Sequence, residues 1–404
     1  MAIVGIIAEY NPFHAGHAYQ LQQAKASIHA DAVIVVMSGF FTQRGIPALI
    51  QPWQRAKAAL QQGADLILQL PVVYSCANAD RFANGGISLL TQLPGITHLS
   101  FGCEAENPAD LLELSHVLTQ GATTAAAKQL QSLGNNHAKT QMLAIQALPQ
   151  YAALASLMQQ PNNTLALAYL QAIERQHSHL IALPIQRQGA SYLDSTLQPM
   201  ASATAIRKTM EEGNIAILKE YLPSCSFEIL QAELAAGQVI YSLRAFEQTI
   251  LLLLRSASPA ELAQLPELSE GLENRFYANH NADSLEHFLR QVKTKRYTYS
   301  RLQRSLCHLL LQIGKKAEPL YEGPAQYASV LGYNSTGQAL LSQWRKKTKL
   351  PLITQPQKQM RELSAQAAEM LRYDLLAADL WRLGIADETA RSQLHWDQKQ
   401  PVSV

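Results

Sequence analysis

Through residue 102 the chain alternates near-continuous apolar runs with helix-length segments, and this alternation constrains its fold more than any other feature. AIVGIIA (2–8) is followed by a helical segment from Gly16 to about Ile28, then DAVIVVMS (31–38) and a helix-length segment around Trp53 to Gln62. ADLILQL (64–70), a helical stretch through Ser88 and Leu89, and THLSFG (97–102) complete the series. Strands apolar on both faces and separated by helices imply βαβ units and a parallel sheet covered on each side. The fold class is therefore α/β, and such a sheet places its ligand site at the carboxyl ends of its strands.

From about Pro108 to Gln176 the pattern is helical, as in LLELSHVLTQ, KTQMLAIQAL and TLALAYLQAIERQ, and one more strand follows in HLIALPIQR (179–187). SATAIRKTMEEG opens a helix that Ser202 can cap and that ends at Glu211 and Glu212 before Gly213. A chain of 404 residues exceeds the roughly 250–300 at which single cores stop growing, so two domains are expected. The first spans 1–222, PSCS (223–226) is a linker, and 223–404 is mainly helical apart from an extended LPLIT (350–354).

A hydrophobic content of 48% against 16% charged residues excludes a largely disordered chain, and a net charge of +2 means nucleic acid could bind only through a local basic patch. Cys76, Cys103, Cys225 and Cys307 lie too far apart for a close-spaced metal or disulfide motif. MAIVGIIAEY has no basic start and meets Glu9 early, and no run reaches ~18 apolar residues. A soluble, cytoplasmic protein with no membrane contact is expected.

His14 and His17 flank Gly16 just after the first strand, where Pro12 ends the strand and Gly16 opens a helix. Backbone N–H groups at such a turn face an anion, and imidazoles there can donate to phosphoryl oxygens as charge develops. A bare HxxH also fits a surface accident or half of a metal site, but no further ligands stand at metal spacing, so no metal residues are assigned. SATAIRK (202–208) brings Ser202, Thr204, Arg207 and Lys208 to a helix start, a grip for phosphates or simply a capped helix with a solvated basic turn.

HxGH after the first strand and a late Ser/Thr-x-x-Arg helix start together resemble the HIGH-type nucleotidyltransferase superfamily. A closer resemblance covers nearly the whole chain: GIIAEYNPFHAGH, SGFFTQRGIPALI, ADLILQLPVVYS, LSFGCE, PNNTLALAYL, PIQRQGASYLD, KTKRYTYSRLQR and VLGYN look like successive blocks of the bacterial tRNA(Met) cytidine acetate ligase family. The resemblance implies a Rossmann-like nucleotidyltransferase domain followed by a mainly helical, tRNA-binding one. It implies a ligase that activates acetate with ATP as acetyl-adenylate, then acetylates N4 of the wobble cytidine of elongator tRNA(Met). It implies catalytic roles for His14, His17, Arg207 and Lys208.

By the same resemblance the ATP-binding block is Ile7, Ala8, Glu9, Tyr10, Asn11, Pro12, Phe13, His14, Ala15, Gly16, His17, Ala18, Tyr19 and Gln20. Isolated ATP contacts fall on Gly102, Asn162 and Arg187, with Ser202 and Thr204 at the phosphates. Taken singly, the three isolated positions read equally well as a turn glycine, an N-cap and a surface cation. Gln43 and Arg44 follow the second strand and can bind acetate or cytidine, or form a solvated loop. VKTKRYTYSRLQR (292–304) interleaves Lys293, Lys295, Arg296, Arg301 and Arg304 with Tyr297 and Tyr299, cations for phosphates beside aromatic faces for unstacked bases. In the context of the family it reads as a tRNA contact, with Arg275 a lesser one; outside it, as a basic helix surface. Two departures from the family pattern, Ala15 in HxGH and Ala166 in the PNN block, remove no phosphate-binding group. Mg²⁺ is expected to accompany ATP. The rivals are a small-molecule adenylyl- or cytidylyltransferase of cofactor synthesis, and a non-catalytic RNA-binding protein.

Overall fold

The computed structural model describes residues 2–121, 137–187, 201–394 and 400–404. The expected strands form: β1 (Ile3–Ala8), β2 (Ala32–Ser38), β3 (Leu66–Leu70), β4 (Ile96–Cys103) and β5 (Ile181–Gln186). All pair in parallel in the order β5-β4-β1-β2-β3. The chain moves from β1 to β2 and β3 on one side, then returns for β4 on the other. This reversal beside β1 opens a crevice at the carboxyl ends of β1 and β4, where open α/β sheets bind ligands.

Alternate side chains of each strand serve opposite faces. Ile3, Ile7, Ile34, Val36, Leu66 and Leu68 join one buried cluster, while Val4, Ile6, Val33, Val35, Met37 and Ile67 join the other. Both faces must be apolar because helices cover both. The helices that matter for the site are α1 (Ala15–Ser27), α2 (Pro52–Gln61), α3 (Ala79–Thr91), α4 (Pro161–Arg175) and α5 (Ala203–Glu211). Ser202 caps α5 by accepting from Ala205 N, as its place in SATAIRK suggests.

The sheet also holds strands from the far end of the chain. β6 (Ala328–Tyr333) runs antiparallel to β3, and β7 (Leu352–Ile353) and β8 (Val402–Ser403) pair in parallel with β6. LPLIT is thus extended as expected, whereas VLGYN, quoted above only as a family block, is an edge extension of the first sheet. Its apolar run is no longer than that of many helical turns, so periodicity alone does not distinguish it. PSCS is not the expected linker: Pro223 stands at the N-cap of a helix, Ser224–Ala235, that buries Phe227 and Leu230. The rest of the chain beyond it is mainly helical, including α6 (Leu285–Val292), α7 (Tyr299–Leu311) and α8 (Ala365–Leu383). Of the PIQRQGASYLD block, residues 188–194 lie outside the described residues.

Candidate active site

β1 stops at Ala8 rather than at Pro12, because the backbone turns at Tyr10, which sits at φ 47°. The buried Tyr10 ring is held at 4.8 Å from Phe13 and 4.7 Å from His17, so packing offsets a conformation that bulky residues avoid. Asn11 Oδ1 accepts from Leu49 N at 2.7 Å, tying the turn to the loop after β2. His14 then caps α1: its Nδ1 accepts from Gly16 N at 3.1 Å, while His17 Nδ1 accepts from His14 N at 3.3 Å. The helix therefore begins at Ala15, one residue before the expected start.

This reciprocal cap dictates the tautomer. With both Nδ1 atoms accepting, each neutral ring carries its proton on Nε2 and is a donor there. The rings stack with centroids 3.7 Å apart. Burial, reinforced by the Arg187 and Arg207 charges, brings the His14 pKa down to about 3. Burial, then His14 and Arg187, hold His17 well below its ordinary value. The pair is thus two neutral N–H donors. The glycine between them has a local cause: a Cβ on Gly16 would meet the His14 ring at 3.0 Å, so the missing side chain makes room for the cap.

Four guanidiniums surround the turn. Arg207 Nη1 donates to Asn11 O at 2.6 Å, and Thr204 Oγ1 accepts from Arg44 Nη1 at 2.7 Å and Arg207 Nη2 at 3.4 Å. Thr204 thereby orients two cations and is absent from the cleft wall itself. Arg187 Nη1 reaches Asn162 Oδ1 at 3.3 Å, and Asn162 Nδ2 donates to Glu104 Oε1 at 2.6 Å. A Cβ on Gly102 would meet the Arg187 stem at 3.3 Å, so that glycine lets the arginine lie across β4. The fourth, Arg55, was missed in the sequence because it reads as a polar residue on a surface helix. It is buried, donating to Glu9 O at 2.6 Å, to Ile50 O at 3.2 Å and to Gly39 O, and burial lowers its pKa to about 9. It clips the ends of β1 and β2 together. Glu9 Oε1 in turn accepts from Gln43 N at 2.8 Å.

The cleft so formed holds about 120 Å³ of water-accessible space. Its walls include Ile7, Ala8, Glu9, Tyr10, Asn11, His14, His17, Gln20, Gln43, Arg44, Gly102, Asn162, Arg187, Ser202 and Arg207. Gly16, Tyr19 and Gln20 line an adjoining recess with Gly102 and Arg187. Pro12, Phe13, Ala15 and Ala18 of the expected block are absent from both walls; Phe13 and Ala18 are buried in the core. Lys208 also departs from expectation: it faces solvent, 57% exposed, with Glu212 at 3.9 Å one helical turn on. Residues 207 and 208 lie about 100° apart around a helix, so only one can face the cleft. Phe82, Phe101, Leu165 and Tyr169 supply an apolar wall that sequence reading did not find, since each resembles ordinary core.

The basic stretch 292–304 is divided by burial. Arg304 is buried, donating to both Glu267 oxygens at 3.1 and 3.2 Å and to Gln43 O at 3.2 Å. Burial pushes the Glu267 carboxyl up, but Arg304, together with His308 and Arg301, holds the group below its ordinary value. Tyr297 is buried too, its hydroxyl donating to Glu270 O at 2.6 Å. A base stacked on Tyr297, or a phosphate on Arg304, does not fit this placement. Arg296 and Arg301 pair with Glu270 at 3.6 and 3.1 Å but keep part of their surface. Lys293 lies 5.5 Å over the exposed Tyr299 ring. Arg275 donates to Val292 O and Gln291 O.

No helix among the described residues is long and apolar enough to cross a membrane, and no group of three His, Cys, Asp or Glu side chains there could hold a metal ion.

Residues 1–395 match a family described as HIGH Nucleotidyl Transferase. The chain is 38% identical over 387 residues, 95% of each chain, to a tRNA(Met) cytidine acetate ligase of Thermoanaerobacter sp. (strain X514). It is 35% identical over 408 residues, 99% of each, to one of Lysinibacillus sphaericus (strain C3-41). Among solved structures, Thermotoga maritima TmcAL bound with alpha-thio ATP matches with a TM-score of 0.93 at 28% identity, covering 100% of both chains.

Proposed function

We infer the reaction from kinship and geometry together: the chain belongs to the tRNA(Met) cytidine acetate ligase family, within the HIGH nucleotidyltransferases. It is an ATP-dependent ligase that acetylates a cytidine of tRNA. The observation that carries the mechanism is the neutral His14–His17 pair, both Nε2 protons available, ringed by Arg44, Arg187 and Arg207 at the carboxyl ends of β1 and β4.

In our reading the triphosphate of ATP lies against that ring of donors. A carboxylate oxygen of acetate attacks the α-phosphorus, the bond from that phosphorus to the α,β-bridging oxygen breaks, and pyrophosphate leaves. Neutral imidazoles donate to the phosphoryl oxygens without a proton having to move first, and the arginines balance the charge that develops. The cytidine N4 then attacks the acetyl carbonyl, AMP departs, and the amine loses a proton. The mixed anhydride is reactive in itself, so positioning and exclusion of water supply much of the rate. Gln43 and Arg44 are proposed to contact acetate or the cytidine, and Arg296, Arg301, Lys293 and Lys295 the RNA. Mg²⁺ would ride on the phosphate oxygens and offset their charge; Glu9 is the one carboxylate on the described cleft wall. The wobble cytidine of elongator tRNA(Met) as target, and a cytoplasmic setting, follow from the same reading.

Two assays test this. Pyrophosphate exchange into ATP should require acetate, and mass spectrometry of tRNA(Met) incubated with acetate and ATP should show one N4-acetylcytidine. Exchange driven instead by a mononucleotide or a phosphopantetheine, with no change in the RNA, would select the small-molecule transferase.

A further inference from the structure

A second cleft, with about 550 Å³ of water-accessible space, adjoins the first, and Gln43 is the one residue on both described walls. It runs between the start of α3, the flank of α4 and the start of α7. Gln43 stands at the doorway with its backbone clamped from both sides, its N–H on Glu9 and its carbonyl on Arg304. The loop carrying it is pressed on α7: Gly45, at φ 73°, leaves no room for a Cβ, which would meet Arg304 N at 2.2 Å. Gln43 is therefore held from both sides where the two clefts adjoin.

The second cleft has a mixed wall, apolar at Leu118, Met158 and Leu167 and cationic at its arginines. Arg81, Arg296, Arg301 and Arg304 face two carboxylates on its wall, Asp80 and Glu267, and Glu267 is already committed to Arg304. Arg81 pairs with Glu322 at 2.9 Å and lies 4.2 Å over the Tyr321 ring. Arg296 keeps its Nε buried with no acceptor. Part-exposed ion pairs of this kind are weak in water, so a polyanion can take over the guanidinium.

Resting on the reaction assigned above, we propose that this second cleft holds the single-stranded nucleotides that flank the target cytidine, with Arg81 and Arg296 on their phosphates. The cytidine itself passes Gln43 to reach the acetyl-adenylate. Arg81 lies far from the basic stretch in sequence, and its part in RNA binding follows only from the shape of the cleft. Unstacked loop nucleotides suit such a cleft better than a duplex, whose paired bases are not free to enter it.

The test uses the full-length protein and a synthetic anticodon stem-loop RNA with cytidine at the acceptor position, its binding followed by fluorescence anisotropy across a salt series. Arg81→Gln and Arg296→Gln should each weaken binding by roughly tenfold and lower the slope of log affinity against log salt by about 0.7. Acetate-dependent pyrophosphate exchange should stay at the wild-type rate in Arg81→Gln. Glu322→Gln breaks the same ion pair but keeps the guanidinium, and should bind RNA at least as tightly as wild type. Unchanged affinity and slope in both arginine variants would overturn the proposal, as would a Glu322→Gln defect matching that of Arg81→Gln. A wild-type protein that exchanges pyrophosphate yet never acetylates RNA would instead overturn the assigned reaction.

Discussion

The turn at residues 8–20 and the basic stretch at 292–304 both stand out in the sequence for their chemistry, and the fold treats them oppositely. In the turn, the conspicuous residues face the cleft, because their arrangement is produced locally: His14 and His17 cap the helix they begin. In the basic stretch, the conspicuous Arg304 and Tyr297 are interior, because their partners come from Glu267, Glu270 and, 261 residues away, Gln43. A motif that closes its own hydrogen bonds announces its geometry. A motif satisfied from elsewhere does not.

The largest effect that would break this contrast concerns Arg304. Arg304→Ala should destabilise the protein by about 3–5 kcal/mol, since it strands the buried Glu267 carboxylate, and chemical denaturation would measure it. A loss below about 0.5 kcal/mol, the usual outcome at an exposed surface, would return Arg304 to the RNA face. Next comes His17→Ala, which should lower acetyl-adenylate formation by about 10²–10³-fold, the loss typical of one transition-state donor. RNA binding should be retained, and wild-type adenylate formation would remove His17 from the chemistry.

A smaller effect sharpens the electrostatics of the turn. The His14 pKa is about 3 in the folded chain against an ordinary value of 6.5, so between those limits the unfolded chain binds the extra proton. Stability contributed by the neutral ring is complete above pH 6.5 and declines as pH falls toward 3. His14→Asn, which keeps a capping side chain, should flatten part of that acid limb in thermal melts. An identical limb in the variant would mean that His14 is not held neutral. The smallest change expected is for Lys208→Ala: no more than about 0.5 kcal/mol of stability, from one exposed pair at helical spacing, and no loss in pyrophosphate exchange. A large kinetic defect would show that Lys208 swings into the cleft.

Much of the fold was legible because burial on both faces of a parallel sheet forces continuous apolar runs, and those runs are visible without any partner. The strand β6 was not, since an apolar segment of that length reads as helix or strand alike until β3 offers its edge. Of the site, the capping turn and the Ser202 helix start were legible. Arg55, Phe82, Phe101, Leu165 and Tyr169 were not, because a buried arginine and an aromatic wall differ from scaffold residues only in what they face.

By itself, then, the sequence determined the α/β class, the position of the ligand crevice after β1, and the chemistry of a histidine pair at a helix start. Each depends on periodicity or on contacts within a few residues, which the order of amino acids encodes directly. Only the tertiary structure decided which cations serve the cleft, which are locked in the interior, and that two clefts meet at Gln43. Those outcomes depend on groups brought together across tens to hundreds of residues, where burial and pairing, rather than residue type, settle what a charge does.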